Sequence, residues 1–189
     1  DTAGFDEASF IQAHTTDERI TSIRFNPIKY SIFHQQSSLN NIQLPIYNAV
    51  PWCPYGRYLS ERPSFTFDPL FHEGLYYVQE ASSMFIEQAL KQTIGLSKPL
   101  RILDLAAAPG GKSTHIQSLI SNDSLLVSNE VIRSRLNVLQ DNIIKWGCEN
   151  VVVTTGDPHA KNGRQQTHRH NQDDGKRHGQ AFILRSKHK

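Results

Sequence analysis

Residues 102–115 are the most informative segment of the sequence: Ile102-Leu103-Asp104-Leu105-Ala106-Ala107-Ala108-Pro109-Gly110-Gly111-Lys112-Ser113-Thr114-His115. It opens as an apolar run typical of a buried strand and closes as the start of a helix. The two adjacent glycines let the backbone approach a ligand closely. The helix that follows presents free N–H groups and the positive end of its dipole, which suits a carboxylate or a phosphate. The stretch therefore predicts a ligand-binding loop between a strand and a helix.

Strands and helices alternate around this loop. The pattern predicts strands at 100–105, 124–128 and 151–154, and helices at 111–120 and 131–146. This β-α-β-α-β order predicts an α/β fold whose parallel sheet is joined by right-handed crossovers. The side chains expected to face the core are Ile116, Leu119 and Ile120 in the first helix, and Leu136, Leu139, Ile143 and Ile144 in the second, which Gly147 is placed to end.

Two acidic residues follow the second and third predicted strands. Glu130 sits at the end of the second strand, where a carboxylate can hydrogen-bond both hydroxyls of a ribose. Asp157 follows the third strand and is placed to reach an adenine amino group. Because the carboxyl ends of parallel strands share one sheet edge, we expect both acids beside the glycine loop. This combination favours an adenosyl cofactor.

The glycine loop has other possible interpretations, since two further kinds of nucleotide-binding loop are similar to it. A phosphate-binding P-loop begins with glycine, whereas the corresponding position here is Ala106, so the phosphate cradle is incomplete. A dinucleotide fingerprint requires Gly-x-Gly-x-x-Gly, which the adjacent pair Gly110-Gly111 does not supply. Another nucleotide, or a tight turn without a ligand, remains an alternative.

Several motifs in the same order resemble the RNA cytosine-C5 methyltransferases of the Sun/RsmB/RsmF type. Residues 102–115 are similar to motif I of that family, whose usual form is Leu-Asp-x-Cys-Ala-Ala-Pro-Gly-Gly-Lys-Thr. Residues 129–135 and 150–157 also look like the family. Three earlier segments resemble its RsmF branch: 22–27 (Ser-Ile-Arg-Phe-Asn-Pro), 51–56 (Pro-Trp-Cys-Pro-Tyr-Gly) and 74–83 (Gly-Leu-Tyr-Tyr-Val-Gln-Glu-Ala-Ser-Ser). The likeness extends from Ser22 to Asp157.

This resemblance implies a Rossmann-like class I methyltransferase that takes S-adenosylmethionine as cofactor and RNA as substrate. The glycine loop would wrap the methionine part, Glu130 would hold the ribose and Asp157 would lie beside the adenine. The family mostly has cysteine at the position of Ala106, and we expect this exchange of small residues to be tolerated. The RsmF likeness favours ribosomal RNA over transfer RNA. The cofactor-binding residues implied are Ala106, Ala107, Ala108, Pro109, Gly110, Gly111, Lys112, Glu130 and Asp157.

The chain departs from the family in its cysteines. In the family a cysteine thiolate adds to C6 of cytosine and makes C5 nucleophilic, and that cysteine follows the fourth or fifth strand. This sequence contains only Cys53 and Cys148, and neither occurs in such a context. No catalytic residue is therefore assigned, and we expect this chain to be inactive. A non-catalytic RNA- or nucleotide-binding remnant is the alternative.

Three regions are predicted. Residues 1–74 form a small α+β RNA-binding lobe, and residues 75–157 form a partial methyltransferase domain with half of the usual sheet. Residues 158–189 form a tail with 8 Lys+Arg, 2 Asp and five of the nine histidines. Its only apolar run is Ala181-Phe182-Ile183-Leu184, which cannot bury enough surface to order it. We therefore predict that the tail is disordered and unrelated to the family.

The basic tail also accounts for the net charge of +2, because residues 1–157 contain 12 Lys+Arg against 16 Asp+Glu. The charge is thus not an RNA-binding footprint of the folded part. Arg133 and Arg135 are interpreted as a solvated helix face. A set of basic and aromatic residues is a candidate either for an RNA surface or for ordinary packing of the aromatic rings: Arg24, Lys29, Arg57 and Arg62 with Trp52, Tyr55 and Tyr58.

Composition and cysteine content predict the setting of the protein. No apolar run of about 18 residues exists, so no membrane span is predicted. The acidic, polar start is not a secretory signal, and the missing initiator Met suggests a start inside a longer reading frame. Two cysteines form neither a disulfide framework nor a four-thiolate metal site, and the pair His168 and His170 is too loose a metal pattern. We expect a cytoplasmic monomer without a metal.

Overall fold

The structure, a computed structural model, describes residues 6–15, 20–36, 44–157, 166–168 and 180–184. The described residues form two sheets, one of four strands and one of five. In the described part of the chain, none of the helices has the length and apolar character needed to cross a membrane.

The N-terminal unit is an antiparallel sheet in the order β2-β3-β1-β4, flanked by short helices. Its central strand β1 is buried along its whole length, because both of its faces are covered. Ile23 and Phe25 point into the unit's own core, whereas Ser22 and Arg24 alternate onto the opposite face, toward the second unit. The elements are α1 (Glu7–Thr15), β1 (Thr21–Phe25), α2 (Pro27–Gln36), β2 (Ile46–Ala49), β3 (Gly56–Leu59), a 3₁₀ helix (Phe65–Phe67), α3 (Pro69–His72) and β4 (Tyr76–Val78).

The predicted boundary at Gly74 falls inside this unit. Strand Tyr76–Val78 pairs with β1, so the sheet of the N-terminal unit continues past that position. This strand has only three residues, and so short a run does not reveal from sequence which sheet it joins.

The second unit contains the parallel strands predicted from the glycine loop. Strands β7, β6, β5 and β9 run parallel in that order, and β8 adds an antiparallel edge beside β7. This confirms the α/β, Rossmann-like class. The elements are α4 (Ala81–Met84), α5 (Ile86–Thr93), β5 (Leu100–Asp104), α6 (Gly111–Gln117), β6 (Leu125–Asn129), α7 (Arg133–Trp146), β7 (Val151–Thr155), β8 (Gln166–His168) and β9 (Gln180–Leu184).

Helix α7 packs Leu139, Ile143 and Trp146 into the core. It ends at Gly147 as predicted, where φ is 79°, in the left-handed region. The prediction that Ile144 faces the core is wrong, since its side chain is 72% exposed. A helix turns about 100° per residue, so the neighbour of buried Ile143 points away when the apolar stripe is narrow.

Two strands lie in the tail, so the prediction that the whole tail is disordered is wrong. Gln180–Leu184 pairs in parallel with β5, on the side opposite β6, and Gln166–His168 pairs with β7. The open edges of a three-stranded sheet offer unpaired N–H and C=O groups, and the apolar run 181–184 supplies a segment that can pair with one of them. The other tail residues, including His170, lie outside the described residues.

Candidate cofactor site

The loop between β5 and α6 is shaped by its own backbone. The amide of Ala107 donates to the carbonyl of Asn129 over 2.9 Å, and the amide of Gly110 donates to the carbonyl of Ala107 over 2.8 Å. Gly110 has φ of 110°, which side chains rarely adopt, and a Cβ there would lie 3.3 Å from Leu139 Cδ1. The tight turn therefore requires glycine at this position, and it directs the start of α6 toward the sheet edge.

Glu130 closes the opposite side of the loop. Its Oε2 accepts a hydrogen bond from the amide of Ala108 over 3.2 Å, and its Oε1 accepts one from Ile132 over 2.9 Å. The residue is 3% exposed, and its own amide is bound by the carbonyl of Thr154 in β7. The predicted neighbourhood of the glycine loop and the acid after β6 is thus present in the structure, with the carboxylate held by two amides.

A buried polar column supports the loop from below. Asp104, 2% exposed, accepts a hydrogen bond from Ser113 Oγ over 2.8 Å, and Ser113 in turn accepts one from Ser128 Oγ over 3.0 Å. Burial raises the pKa of Asp104 above its ordinary value, opposed by the hydrogen bonds that Ser113 and the Ala106 amide donate. The column connects strand β5 to helix α6 and strand β6 directly under the loop.

Asn129 ties together the ends of all three central strands, a role that the sequence did not predict. Its Nδ2 donates to the carbonyls of Leu105 and Gly156, at 3.3 and 3.0 Å, and its Oδ1 accepts from Thr154 Oγ1. Asp157 follows Gly156 directly and is exposed at this same edge. The sequence did carry a signal for this role, an asparagine at the end of the second strand. Its side-chain amide can both donate and accept hydrogen bonds.

Arg135 also contacts the loop, which corrects its interpretation as part of a solvated helix face. Its Nη2 donates to the carbonyl of Ala108 over 2.6 Å, and its Nη1 lies 3.9 Å from Glu130 Oε2. The neighbouring Arg133 is exposed, as predicted. The Arg135 side chain, in the first turn of α7, points back toward the glycine loop. The spacing of residues in the sequence does not show that direction.

The carbonyl of Pro109 is held from the two sides of the loop. Tyr77 of the N-terminal unit donates to it over 3.2 Å, and Asn142 of α7 donates to it over 2.8 Å. Gly111 faces the same tyrosine, because a Cβ there would lie 3.2 Å from its ring. The loop is therefore positioned by both units of the protein.

Arg24 is the main polar link between the units and is not part of an exposed RNA surface. It is 1% exposed, and burial lowers the pKa of its guanidinium to about 9. Its guanidinium donates to Gln79 Oε1 and to Thr114 Oγ1, each over 2.8 Å, and lies 4.5 Å from the ring centre of Trp146. An arginine in an alternating strand looks solvent-facing by sequence, whereas here that face is covered by α6 and α7.

The predicted cofactor residues fall into two groups. Ala107, Ala108, Gly110 and Glu130 are buried and hydrogen-bonded around the loop. The other five are partly or fully exposed around it: Ala106, Pro109, Gly111, Lys112 and Asp157. The amides of the first turn of α6 and the partly exposed Lys112 lie on one side, and the two acidic strand ends lie on the other. Such an arrangement can receive a small molecule that carries both a carboxylate and a ribose.

Neither cysteine has the properties of an activated nucleophile. Cys53 is 1% exposed in the turn after β2, and burial raises its pKa to about 11. Cys148 is half-buried beyond the end of α7, and burial raises its pKa to about 11 as well. Because the thiolate is the reactive form, both residues are poor nucleophiles at neutral pH.

Comparisons with known families agree with the resemblance. Residues 2–81 match the model of the N-terminal domain of 16S rRNA methyltransferase RsmF, and residues 92–171 match that of 16S rRNA methyltransferase RsmB/F. The second match continues past Asp157, so the prediction that the tail is unrelated to the family is wrong for residues 158–171.

Curated relatives carry the same description. A ribosomal RNA small subunit methyltransferase F from Aeromonas salmonicida (strain A449) is 38% identical over 138 residues, which is 70% of this chain and 28% of the relative. One from Vibrio atlanticus (strain LGP32) is 37% identical over 159 residues, or 80% of this chain and 32% of the relative. The chain thus spans about a third or less of the length of these relatives.

Solved structures show the same architecture. A methyltransferase homologue from Pyrococcus horikoshii superposes with a TM-score of 0.61 at 32% identity, covering 78% of this chain and 47% of that one. NSun6 from the same organism, solved with SFG, superposes with a TM-score of 0.59 at 18% identity, covering 73% and 58%. The second likeness concerns the fold alone.

Proposed function

Because this chain belongs to the RsmB/RsmF family of rRNA methyltransferases, we propose that it carries the S-adenosylmethionine-binding part of an RNA cytosine-C5 methyltransferase. The relatives' names favour ribosomal RNA as the substrate, with transfer RNA as the second choice. A cytoplasmic monomer is part of the same proposal. The observation that carries it is the contact between the glycine loop and Glu130 at the ends of β5 and β6.

The residues at this edge suit the cofactor. The first turn of α6 presents backbone amides without a side-chain cap, and the positive end of a helix dipole, to a carboxylate. Glu130 is fixed by two backbone amides, and each of its oxygens keeps a further lone pair for a ribose hydroxyl. Asp157 is exposed at the end of β7, where it can accept a hydrogen bond from the adenine amino group. When bound, S-adenosylmethionine supplies an electrophilic methyl group.

Methyl transfer to C5 of cytosine needs more than this site. That carbon is a weak nucleophile, and the family activates it by adding a cysteine thiolate to C6. Cys53 and Cys148 both have pKa values raised to about 11, and neither follows a strand end at the cofactor edge. We therefore expect the 189-residue chain to bind the cofactor without turnover.

A non-catalytic RNA-binding remnant is the second candidate. The N-terminal unit exposes aromatic side chains, with Tyr47 63% exposed on β2 and Phe67 85% exposed in the 3₁₀ helix. Exposed aromatic rings can stack on unpaired bases. Binding of single-stranded RNA that is lost in Tyr47→Ala and Phe67→Ala, without cofactor binding, would favour this candidate.

Titration calorimetry with S-adenosylmethionine tests the cofactor proposal. Glu130→Ala removes the ribose acceptor and should weaken binding by at least about tenfold, since hydrogen bonds to a charged group contribute about 1.5–3 kcal/mol each. Glu149→Ala is the matched control, because Glu149 is exposed and precedes β7 at the opposite edge of the sheet. Equal binding by the two variants, or none by the parent chain, contradicts the proposed site.

A methyl-transfer assay with cytosine-containing RNA tests the second part of the proposal. The parent chain should release no methylated product even where calorimetry shows bound cofactor. Measurable turnover would refute the expected inactivity, and its loss in Cys148→Ser or Cys53→Ser would then identify the nucleophile.

A further inference from the structure

Three buried side chains with metal-binding atoms meet between the two units, away from the glycine loop. Cys53 comes from the turn between β2 and β3, Glu87 from α5 and His115 from α6. They are 1%, 3% and 1% exposed, and their ligand atoms all lie within 4.8 Å of one another. Sequence spacing gave no sign of this cluster, because its members are far apart in the chain.

The distances within the cluster are close to those around a tetrahedral ion. Cys53 Sγ lies 3.9 Å from His115 Nε2, which lies 3.0 Å from Glu87 Oε2. With zinc bonds of about 2.3 Å to sulfur and about 2.0–2.1 Å to nitrogen and oxygen, tetrahedral angles give about 3.5 Å and about 3.3 Å for these separations. These two separations differ from the tetrahedral values by a few tenths of an ångström, and the third, between Cys53 Sγ and the Glu87 carboxylate, is within 4.8 Å.

The chemistry of the three groups selects the class of metal. A thiolate together with an imidazole and a carboxylate suits zinc, whereas magnesium and calcium take oxygen ligands. The other carboxylate oxygen, Glu87 Oε1, accepts a hydrogen bond from Lys91 Nζ over 2.6 Å, as ligating carboxylates commonly do. Thiolate and carboxylate together balance the two charges of the ion.

We propose that Cys53, Glu87 and His115 bind a zinc ion that fastens the N-terminal unit to helices α5 and α6. The described residues supply three ligands, and water takes the fourth position. This site is independent of the proposed methyltransferase function. The competing arrangement has protons in place of the ion, with the thiol and the imidazole N–H both donating to Glu87.

Cobalt(II) substitution separates the two arrangements, because a cysteine ligand produces a thiolate-to-cobalt charge-transfer band. We expect the full chain to show this band with one equivalent of Co²⁺ and to lose it when Zn²⁺ is added. Cys53→Ser should abolish the band, whereas Cys148→Ser, the matched control, should keep it. The five tail histidines have no sulfur, so cobalt bound there cannot produce it.

Two further measurements keep the test decisive if Cys53→Ser does not fold. His115→Gln preserves an amide that can donate to Glu87, and it should also lose the band while keeping the far-ultraviolet circular dichroism of the parent. Zinc at about 100 times its dissociation constant should raise the Tm of the parent by about 5–10 °C and leave that of His115→Gln unchanged. A parent chain without the band, or a band that His115→Gln retains, overturns the proposal.

Discussion

Gly110 carries the strictest backbone requirement in the cofactor loop. Its φ of 110° lies in the range that side chains rarely adopt, and a Cβ would meet Leu139 and Asn142 at 3.3 and 3.4 Å. We expect Gly110→Ala to lower the free energy of unfolding by about 1–3 kcal/mol, the usual cost of such a conformation. Gly95→Ala is the control, because no heavy atom lies within 4 Å of its Cβ. Equal midpoints of urea unfolding for the two variants would contradict the described loop geometry.

The raised pKa of Asp104 predicts how the stability of the folded chain depends on pH. Burial raises its pKa in the folded chain above the ordinary value of 3.8, so from pH 3.8 upward the folded state binds a proton that the unfolded state has lost. The contribution of Asp104 to stability therefore falls as the pH rises through the raised pKa. Asp104→Asn does not titrate and should gain stability relative to the parent between pH 3.8 and neutrality.

Urea unfolding of Asp104→Asn and of the parent across this range measures the difference. Asp141→Asn, at an exposed position of α7, is the matched control. A difference between Asp104→Asn and the parent that stays constant with pH, or that changes in the opposite sense, would show that the Asp104 carboxyl is not stabilised in its protonated form.

The alternation of strands and helices was predictable, because apolar residues recur with a different spacing in a strand and in a helix. The strands around the glycine loop and the helix ending at Gly147 follow from such patterns. Contacts that join elements were not predictable. Asn129 and Arg135 acquire their roles from the positions of neighbouring backbone carbonyls, which only the folded chain supplies.

The orientation of helix α7 predicts which of its apolar side chains contribute to stability. Leu139 is fully buried, whereas Ile144 is 72% exposed. Leu139→Ala should lower the free energy of unfolding by about 2–5 kcal/mol, because it leaves a cavity in the core. Ile144→Ala should change it by less than about 0.5 kcal/mol, as exposed substitutions usually do. Similar losses for both variants in chemical denaturation would mean that the helix is rotated from the described position.

The two units are joined by buried hydrogen bonds, of which those of Arg24 are the most extensive. Arg24→Met keeps much of the volume but leaves Gln79 Oε1 without the donor it has in the structure and removes a donor from Thr114 Oγ1. We expect a loss of about 1–3 kcal/mol in unfolding free energy, the cost of a buried group without its partner. Arg133→Met, at an exposed position, is the control. Unchanged thermal unfolding of Arg24→Met would show that packing alone holds the units together.

Strand β9 covers one edge of the second sheet and should therefore affect whether the protein self-associates. Gln180–Leu184 covers the side of β5 that β6 leaves open, and an uncovered parallel edge pairs readily with other chains. A chain ending at Gly179 should therefore self-associate, as size-exclusion chromatography with light scattering would show. A chain ending at Leu184 keeps the strand and should behave like the parent. If both shortened chains stay monomeric, the tail contributes nothing to the sheet, and the prediction made from its composition alone is the better one.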